Sequence, residues 1–317
     1  MSFLAADIGG TYSRFAWSDG GTTGALAVEI VKNRDFDSLD DAIAHALQAF
    51  GVAGQPIGLV VLALPGPVHT DPVMLTNIDW RAERLALQQR FAVRHLQIVN
   101  DFQAAALGAI LQPDEALRVL NTATPDQGPR VVAGAGTGLG MAWLCNDDPN
   151  ALPQATEGGH LDFAPGTDTE VALYRDLAER YGHVSYERLL SGDGLLETYR
   201  YFAGTGAAAA SPAEIVGEAN EQQAPARQAI ETFVAIFAAY AGNLALAFNP
   251  GGGIYLCGGL TAHLADWFRP EVFQARYSAK GRMAEMVKRI PVFLVTRHDT
   301  GLTGATHIAR QIHRAEL

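Results

Sequence analysis

Two glycine-rich turns, each set between apolar segments of strand character, constrain this chain more than any other feature. The first is Asp7-Ile8-Gly9-Gly10-Thr11, between Phe3 to Ile8 and Ser13 to Trp17. The second is Gly134-Ala135-Gly136-Thr137-Gly138-Leu139-Gly140, between Arg130 to Ala133 and Met141 to Cys145. Four glycines in seven residues carry a backbone-entropy cost that an ordinary turn does not require, which points to a ligand approaching the main chain. Gly10-Thr11 is followed by Ala16-Trp17, and Gly136-Thr137 by Ala142-Trp143, at the same spacing. That echo predicts a duplicated fold with two hairpins, chance similarity of two glycine-rich hairpins being the competing explanation.

Around these turns strands and helices alternate. A turn at Asp19-Gly20-Gly21 and a third strand, Ala25 to Val31, complete an antiparallel ribbon. Helix Leu39 to Phe50 precedes the apolar strand Ile57 to Leu64, which must stop at Pro65-Gly66-Pro67 because proline cannot donate to a ladder. Helix Ala82 to Phe91 leads to strand His95 to Val99, ending at Asn100-Asp101. This order predicts a mixed α/β sheet. The stretch 121–130 is the best loop in the middle of the chain. Beyond it, helices are expected at Glu170 to Tyr181, Gly194 to Phe202, Pro212 to Ala219 and Ala226 to Phe248, and strands at Gly253 to Cys257 and Pro291 to Thr296. A last helix, about Thr303 to Ala315, can return to either half.

A length of 317 residues exceeds one ordinary hydrophobic core and favours two domains. The net charge of -11 argues against a general nucleic-acid binder, which needs a basic face. Two cysteines, Cys145 and Cys257, without CxxC or Cys/His spacing, argue against a disulfide framework or a structural zinc site and fit a reducing cytoplasm. The first residues lack a basic region and reach Asp7 before a signal-peptide core forms. The most apolar stretch, Phe233 to Phe248, is read as a buried helix too short to span a bilayer comfortably, so no membrane partner is expected.

The candidate chemistry lies in the turns and at strand ends. Asp7 can position a hydrated magnesium ion, while the N–H groups after Gly9 and Gly10 and the Thr11 hydroxyl can contact phosphate oxygens. An ordinary β-turn with a capping aspartate fits the same residues. Gly134, Gly136 and Gly138 resemble part of a Rossmann fingerprint, but strand rather than helix follows, which favours a second hairpin. As a pair the turns can clamp a nucleotide polyphosphate. Asp101 stands at a strand end, where open α/β sheets place ligands, and an aspartate suits acceptance of a hydroxyl proton in phosphoryl transfer. The same residue can be the N-cap of helix Phe102 to Leu111. Gly258-Gly259 form a strand-to-helix turn of a kind that also occurs without a ligand.

Together with Asn100-Asp101, Glu157-Gly158-Gly159-His160, Glu187 and Cys257-Gly258-Gly259-Leu260, the two turns resemble bacterial glucokinases of the hexokinase, actin and heat-shock ATPase superfamily. The resemblance runs from Ala6 to Gly304 in the family's order. It implies an α/β, two-domain actin-like ATPase (ribonuclease H-like) fold with an interdomain cleft, its small domain spanning residues 1–110 plus 301–317 and its large domain 111–300. It implies ATP and magnesium as cofactors, glucose in the cleft and a homodimer. On this resemblance Asp101 matches the catalytic base and Asn100 its neighbour on the sugar hydroxyls. Glu157, His160 and Glu187 match the remaining sugar contacts, groups whose directional hydrogen bonds can discriminate hexose epimers. Glu187 by itself fits a solvated residue at a helix start equally well. Asp7 matches the magnesium position, through water. Gly9, Gly10, Thr11, Gly136, Thr137 and Gly138 match phosphate contacts, and Gly258 and Gly259 the adenosine-side turn. Two positions depart from the pattern: Tyr12 stands where an asparagine commonly follows the threonine, and Asp193 where a less charged residue is frequent.

The implied reaction moves the γ-phosphoryl group of ATP to the 6-hydroxyl of glucose, giving glucose 6-phosphate and ADP, the first step of glycolysis. The alternatives are a kinase of the same fold acting on another hexose and a non-catalytic sugar sensor. Sensors of this kind usually add a DNA-binding segment, whereas here the first phosphate turn arrives by Asp7.

Overall fold

The computed structural model describes residues 1–20, 26–145, 148, 151–204 and 207–315. Gly21 of the expected first turn and Ala25 at the expected start of the third strand lie outside them. The chain divides into two compact units, Met1–Leu111 with Asp299–Leu317, and Gln112–His298.

The first unit opens with β1 (Phe3–Ile8), and β2 (Tyr12–Ser18) returns antiparallel to it, pairing Asp7 with Arg14 and Ile8 with Ser13. β3 (Ala27–Lys32) completes the ribbon. α1 (Leu39–Ala49) starts where Ser38 accepts from the Asp41 N–H, and it crosses to β4 (Ile57–Leu64), parallel to β1. A small ribbon, β5 (Val73–Met74) with β6 (Arg81–Ala82), precedes α2 (Arg84–Arg90) and β7 (Val93–Asn100), which lies parallel to β4. α3 (Asp101–Ile110) follows. The sheet order is β3-β2-β1-β4-β7. β4 is almost wholly buried, which is why it reads as an unbroken apolar run rather than an alternation.

The C-terminal helix, Thr300–Ala315, belongs to this unit and packs along α3. Glycine makes that seam possible. A Cβ on Gly108 would run into the Thr300 carbonyl, and one on Gly304 into the Ala104 carbonyl, so the two helix backbones touch with no side chain between them.

The second unit comprises β8 (Leu117–Val119), β9 (Arg130–Ala135), β10 (Leu139–Leu144), β11 (Gln154–Thr156), α4 (Asp168–Tyr181), α5 (Gly192–Ala203), α6 (Pro212–Asn220), α7 (Ala224–Phe248), β12 (Gly253–Cys257), α8 (Gly259–His263), α9 (Pro270–Tyr277), α10 (Ala284–Lys288) and β13 (Val292–Val295). Its sheet order, β11-β10-β9-β12-β13-β8, repeats the first unit's plan. In both, an antiparallel three-strand ribbon continues into two parallel strands, and here β8 adds an antiparallel edge. The turns differ in length. Residues 9–12 separate the paired Ile8 and Ser13, whereas only 136–138 separate Ala135 and Leu139.

α7 is 25 residues long, longer than its apolar stretch alone indicated, and long and apolar enough to cross a membrane. Phe233, Phe237, Tyr240 and Leu244 are buried in the core of the second unit, which accounts for that apolarity. Asn249, at φ 41°, ends the helix in the left-handed conformation, and Pro250 follows.

Candidate active site

The first turn is held from two sides. The Gly9 N–H donates to the Tyr12 carbonyl at 3.0 Å, and the Thr11 carbonyl accepts from the Asn33 N–H at 3.0 Å. The Asn33 side chain donates through Nδ2 to the Gly9 carbonyl at 2.7 Å. Asn33 carries no sequence signal of this role, because its partners in the turn are distant in sequence, Gly9 lying 24 residues away. Gly10 leaves room for the neighbouring chain, since a Cβ there would stand 3.1 Å from the Asn77 Cβ. Tyr12, the departure from the family pattern, has an exposed side chain and contributes its carbonyl to the turn.

Asp7 and Asn100-Asp101 lie at the C-terminal ends of β1 and β7, with β4 between them. Asn100 is the cap of α3: its Oδ1 accepts from the N–H groups of Phe102 and Gln103, each at 3.1 Å. Asp101 is therefore not the cap, the alternative left open by its position before a helix. It is the first helical residue, and its Oδ1 accepts from the Phe102 N–H at 2.8 Å. With its oxygen committed, Asn100 offers a ligand its amide N–H groups. Asp7 sits 3.6 Å from Arg14 Nη1. Burial pushes its carboxyl up to about 6, Arg14 opposing the rise and the Asp101 charge adding to it. Gly301 is required beside it, since a Cβ there would come within 2.5 Å of Asp7 Oδ2.

In the second unit Glu187 gathers the site. It lies in a turn rather than at a helix start, its N–H donating to the Gly159 carbonyl at 2.9 Å. Its Oε2 accepts from the Leu139 N–H at 2.9 Å, and its Oε1 lies 3.7 Å from His160 Nε2. His160 is also 3.8 Å from Glu157, whose side chain is almost fully exposed. The glycine turn closes on itself through Gly136 N–H to the Gly138 carbonyl at 2.9 Å, and the Gly136 carbonyl accepts from the Gly192 N–H at the start of α5. Thr137, His160, Glu187, Arg188, Ser191 and Asp193 are among the residues lining a pocket of about 440 Å³. Asp193, the second departure from the family pattern, thus lines the same pocket as His160 and Glu187. Gly258, at φ 99°, packs against the Ala135 backbone, whereas Gly259 faces open space.

Among the described residues, no backbone carbonyl accepts from the N–H groups of Gly10, Thr11, Thr137 or Gly138. Each hairpin thus turns its first glycine N–H inward and leaves the next two without a backbone acceptor among the described residues. Consecutive main-chain N–H groups of this kind form anion-binding concavities.

Solved structures share this architecture. A glucokinase from an Antarctic psychrotroph has a TM-score of 0.81 at 29% identity, covering 98% of this chain and 99% of that one. The glucokinase of Balamuthia mandrillaris in complex with glucose has a TM-score of 0.78 at 21% identity, a likeness of fold alone, covering 98% of this chain and 93% of that one. The class is therefore an α/β sugar-kinase architecture of the actin-like ATPase fold family. The model of the glucokinase family matches residues 4–312, and the glucokinase of Marinobacter nauticus is 38% identical over 307 residues, 95% of each chain. The chain belongs to the glucokinase family, and its reaction is the ATP-dependent phosphorylation of glucose.

Proposed function

We propose that the chain transfers the γ-phosphoryl group of ATP to the 6-hydroxyl of glucose, with the residues read from the sequence in the roles given there. The observation that carries this reading is the pair of hairpins, each with two consecutive N–H groups that no backbone carbonyl accepts among the described residues, the first just after Asp7 and the second tied to Glu187 through Leu139. Gly9 to Thr11 and Gly136 to Gly138 hold the phosphates, so that charge on the transferring group meets fixed donors. Gly258 and Gly259 border the adenosine. Glucose is recognised by Asn100 and Asp101 from residues 1–110 plus 301–317, and by Glu157, His160 and Glu187 from residues 111–300, the interdomain cleft that the resemblance implies.

The sugar's 6-oxygen attacks the γ-phosphorus, the bond from that phosphorus to the β–γ bridging oxygen breaks, and ADP leaves. Asp101 takes the hydroxyl proton. The Phe102 N–H on Oδ1 orients the carboxylate. Asp7 fits a hydrated magnesium ion: it is a half-buried carboxylate raised to about 6, which Arg14 at 3.6 Å only partly offsets. Bound there through water, the ion would supply neutralisation of phosphate charge. The reading includes a cytoplasmic homodimer, as the resemblance implies.

A coupled ADP-release assay across a hexose panel, with product analysis to locate the phosphate, tests the assignment. Glucose 6-phosphate is the expected product. Turnover confined to mannose, fructose or an amino sugar would replace glucose by that hexose, and no turnover with any sugar would support the sensor alternative.

A further inference from the structure

We propose that Asn33 is a positioning residue for phosphoryl transfer, fixing the Gly9–Thr11 backbone in the shape that receives the nucleotide's phosphates; this rests on the reading of that turn as a phosphate contact. Asn33 is 1% exposed and stands just beyond the end of β3. Each of its polar groups is engaged. Nδ2 donates to the Gly9 carbonyl at 2.7 Å, the backbone N–H donates to the Thr11 carbonyl at 3.0 Å, and the backbone carbonyl accepts from the Phe36 N–H at 3.0 Å. Oδ1 accepts from the hydroxyl of Ser13, itself buried, at 2.7 Å. These contacts settle the orientation of the amide, since the Gly9 carbonyl can only accept and must face the NH₂ end.

The contacts fall on both sides of the two N–H groups at issue. Gly9 and Thr11 are held by their carbonyls, while the N–H groups of Gly10 and Thr11 donate to no backbone carbonyl among the described residues and remain for the nucleotide's phosphates in this reading. A turn containing two adjacent glycines has the widest choice of backbone conformation, so unheld it would order only on binding nucleotide. The Tyr12 side chain, exposed, does not do this work. Asn33 instead preorganises the turn from just beyond the end of β3, 24 residues from Gly9, so that binding energy is not spent on ordering it.

Asn33→Asp tests this because it keeps the side-chain shape, the acceptor for Ser13 and both backbone bonds, but places an acceptor opposite the Gly9 carbonyl. The expected result is a KM for ATP raised about tenfold, the size of one lost buried hydrogen bond, with the KM for glucose changed less than about twofold. Ser13→Ala, which releases Oδ1, is expected to shift the ATP KM in the same direction by less, and it serves if Asn33→Asp does not fold. Unchanged KM values in the variant, or parallel rises for both substrates together with a lower Tm, would overturn the inference and leave Asn33 a purely structural residue. Gly10→Val separates the two levels. If it leaves the ATP KM unchanged, the turn does not contact nucleotide and the underlying reading fails; if it raises the ATP KM while Asn33→Asp does not, only the role of Asn33 fails.

Discussion

Glu187 accepts the Leu139 N–H at 2.9 Å through one carboxylate oxygen and faces His160 Nε2 at 3.7 Å through the other. One side chain thus links the glycine turn after β9 to the cluster assigned to the sugar. Glu187→Gln keeps an acceptor for Leu139 but loses the charge that faces His160 and the sugar. It is expected to raise the glucose KM about 10- to 100-fold, the range of a charge-assisted hydrogen bond, while sparing the KM for ATP. Glu187→Ala also releases Leu139, and initial-rate kinetics with both substrates varied should show the ATP KM rising as well.

The two glycines of that turn should respond differently to alanine. A Cβ on Gly138 would stand 2.6 Å from Glu187 Oε2, whereas one on Gly136 meets nothing within 4 Å. Gly138→Ala is therefore expected to push Glu187 aside and weaken glucose, although the proposed contact of its own turn is with phosphate. Gly136→Ala should leave Tm unchanged. Calorimetric glucose binding to the two variants checks the contrast, and equal affinities would contradict it.

Asp7 makes stability and activity depend on pH in opposite senses. Its folded carboxyl is raised from the ordinary 3.8 to about 6, so the folded protein holds this proton more tightly than the unfolded chain. The resulting stability is present below about pH 4 and is lost as pH rises through about 6, an effect of about 2–3 kcal/mol. Asp7→Asn should abolish this dependence, gaining stability relative to the unsubstituted protein between pH 4 and pH 8. Activity should rise through about pH 6 as Asp7 ionises, and the variant should be nearly inactive. Denaturant unfolding at pH 4 and pH 8, beside a pH–rate profile, measures both halves.

The seam between α3 and the C-terminal helix admits no methyl group. Gly304→Ala is expected to destabilise the first unit by about 1–3 kcal/mol through overpacking, read as a lower denaturant midpoint. An unchanged midpoint would mean that the helices separate at no cost.

Where residues are joined by local chemistry, the sequence was readable. β4 and β12 match their expected bounds, Ile57 to Leu64 and Gly253 to Cys257, because each is a short apolar run ended by proline or glycine. The paired hairpins were legible from glycine spacing, and the strand after Gly138 excluded a dinucleotide-binding helix. β8 and β11 were not foreseen, since each is three residues long and β11 is exposed throughout, which leaves no periodicity. The C-terminal helix begins at Thr300 rather than Thr303 because Gly301, which reads as a breaker, is needed against Asp7. Asn33 escaped for a different reason. Its hydrogen-bond partners Gly9 and Ser13 lie 24 and 20 residues away, so nothing local marks it. At Asn100-Asp101 both residues are good caps by type, and only the geometry assigns the cap to Asn100 and makes Asp101 the first helical residue.

In the proposed reaction Asp101 takes the proton from the sugar's 6-hydroxyl. The direct measurement is single-turnover phosphoryl transfer by Asp101→Asn, beside calorimetric binding of glucose to the same protein. The amide keeps the size and hydrogen bonding of the carboxylate but accepts no proton, so transfer should slow by about 10²- to 10⁴-fold while glucose affinity changes only a few-fold. Transfer near the unsubstituted rate, with glucose bound, would contradict the account and remove Asp101 from the chemistry.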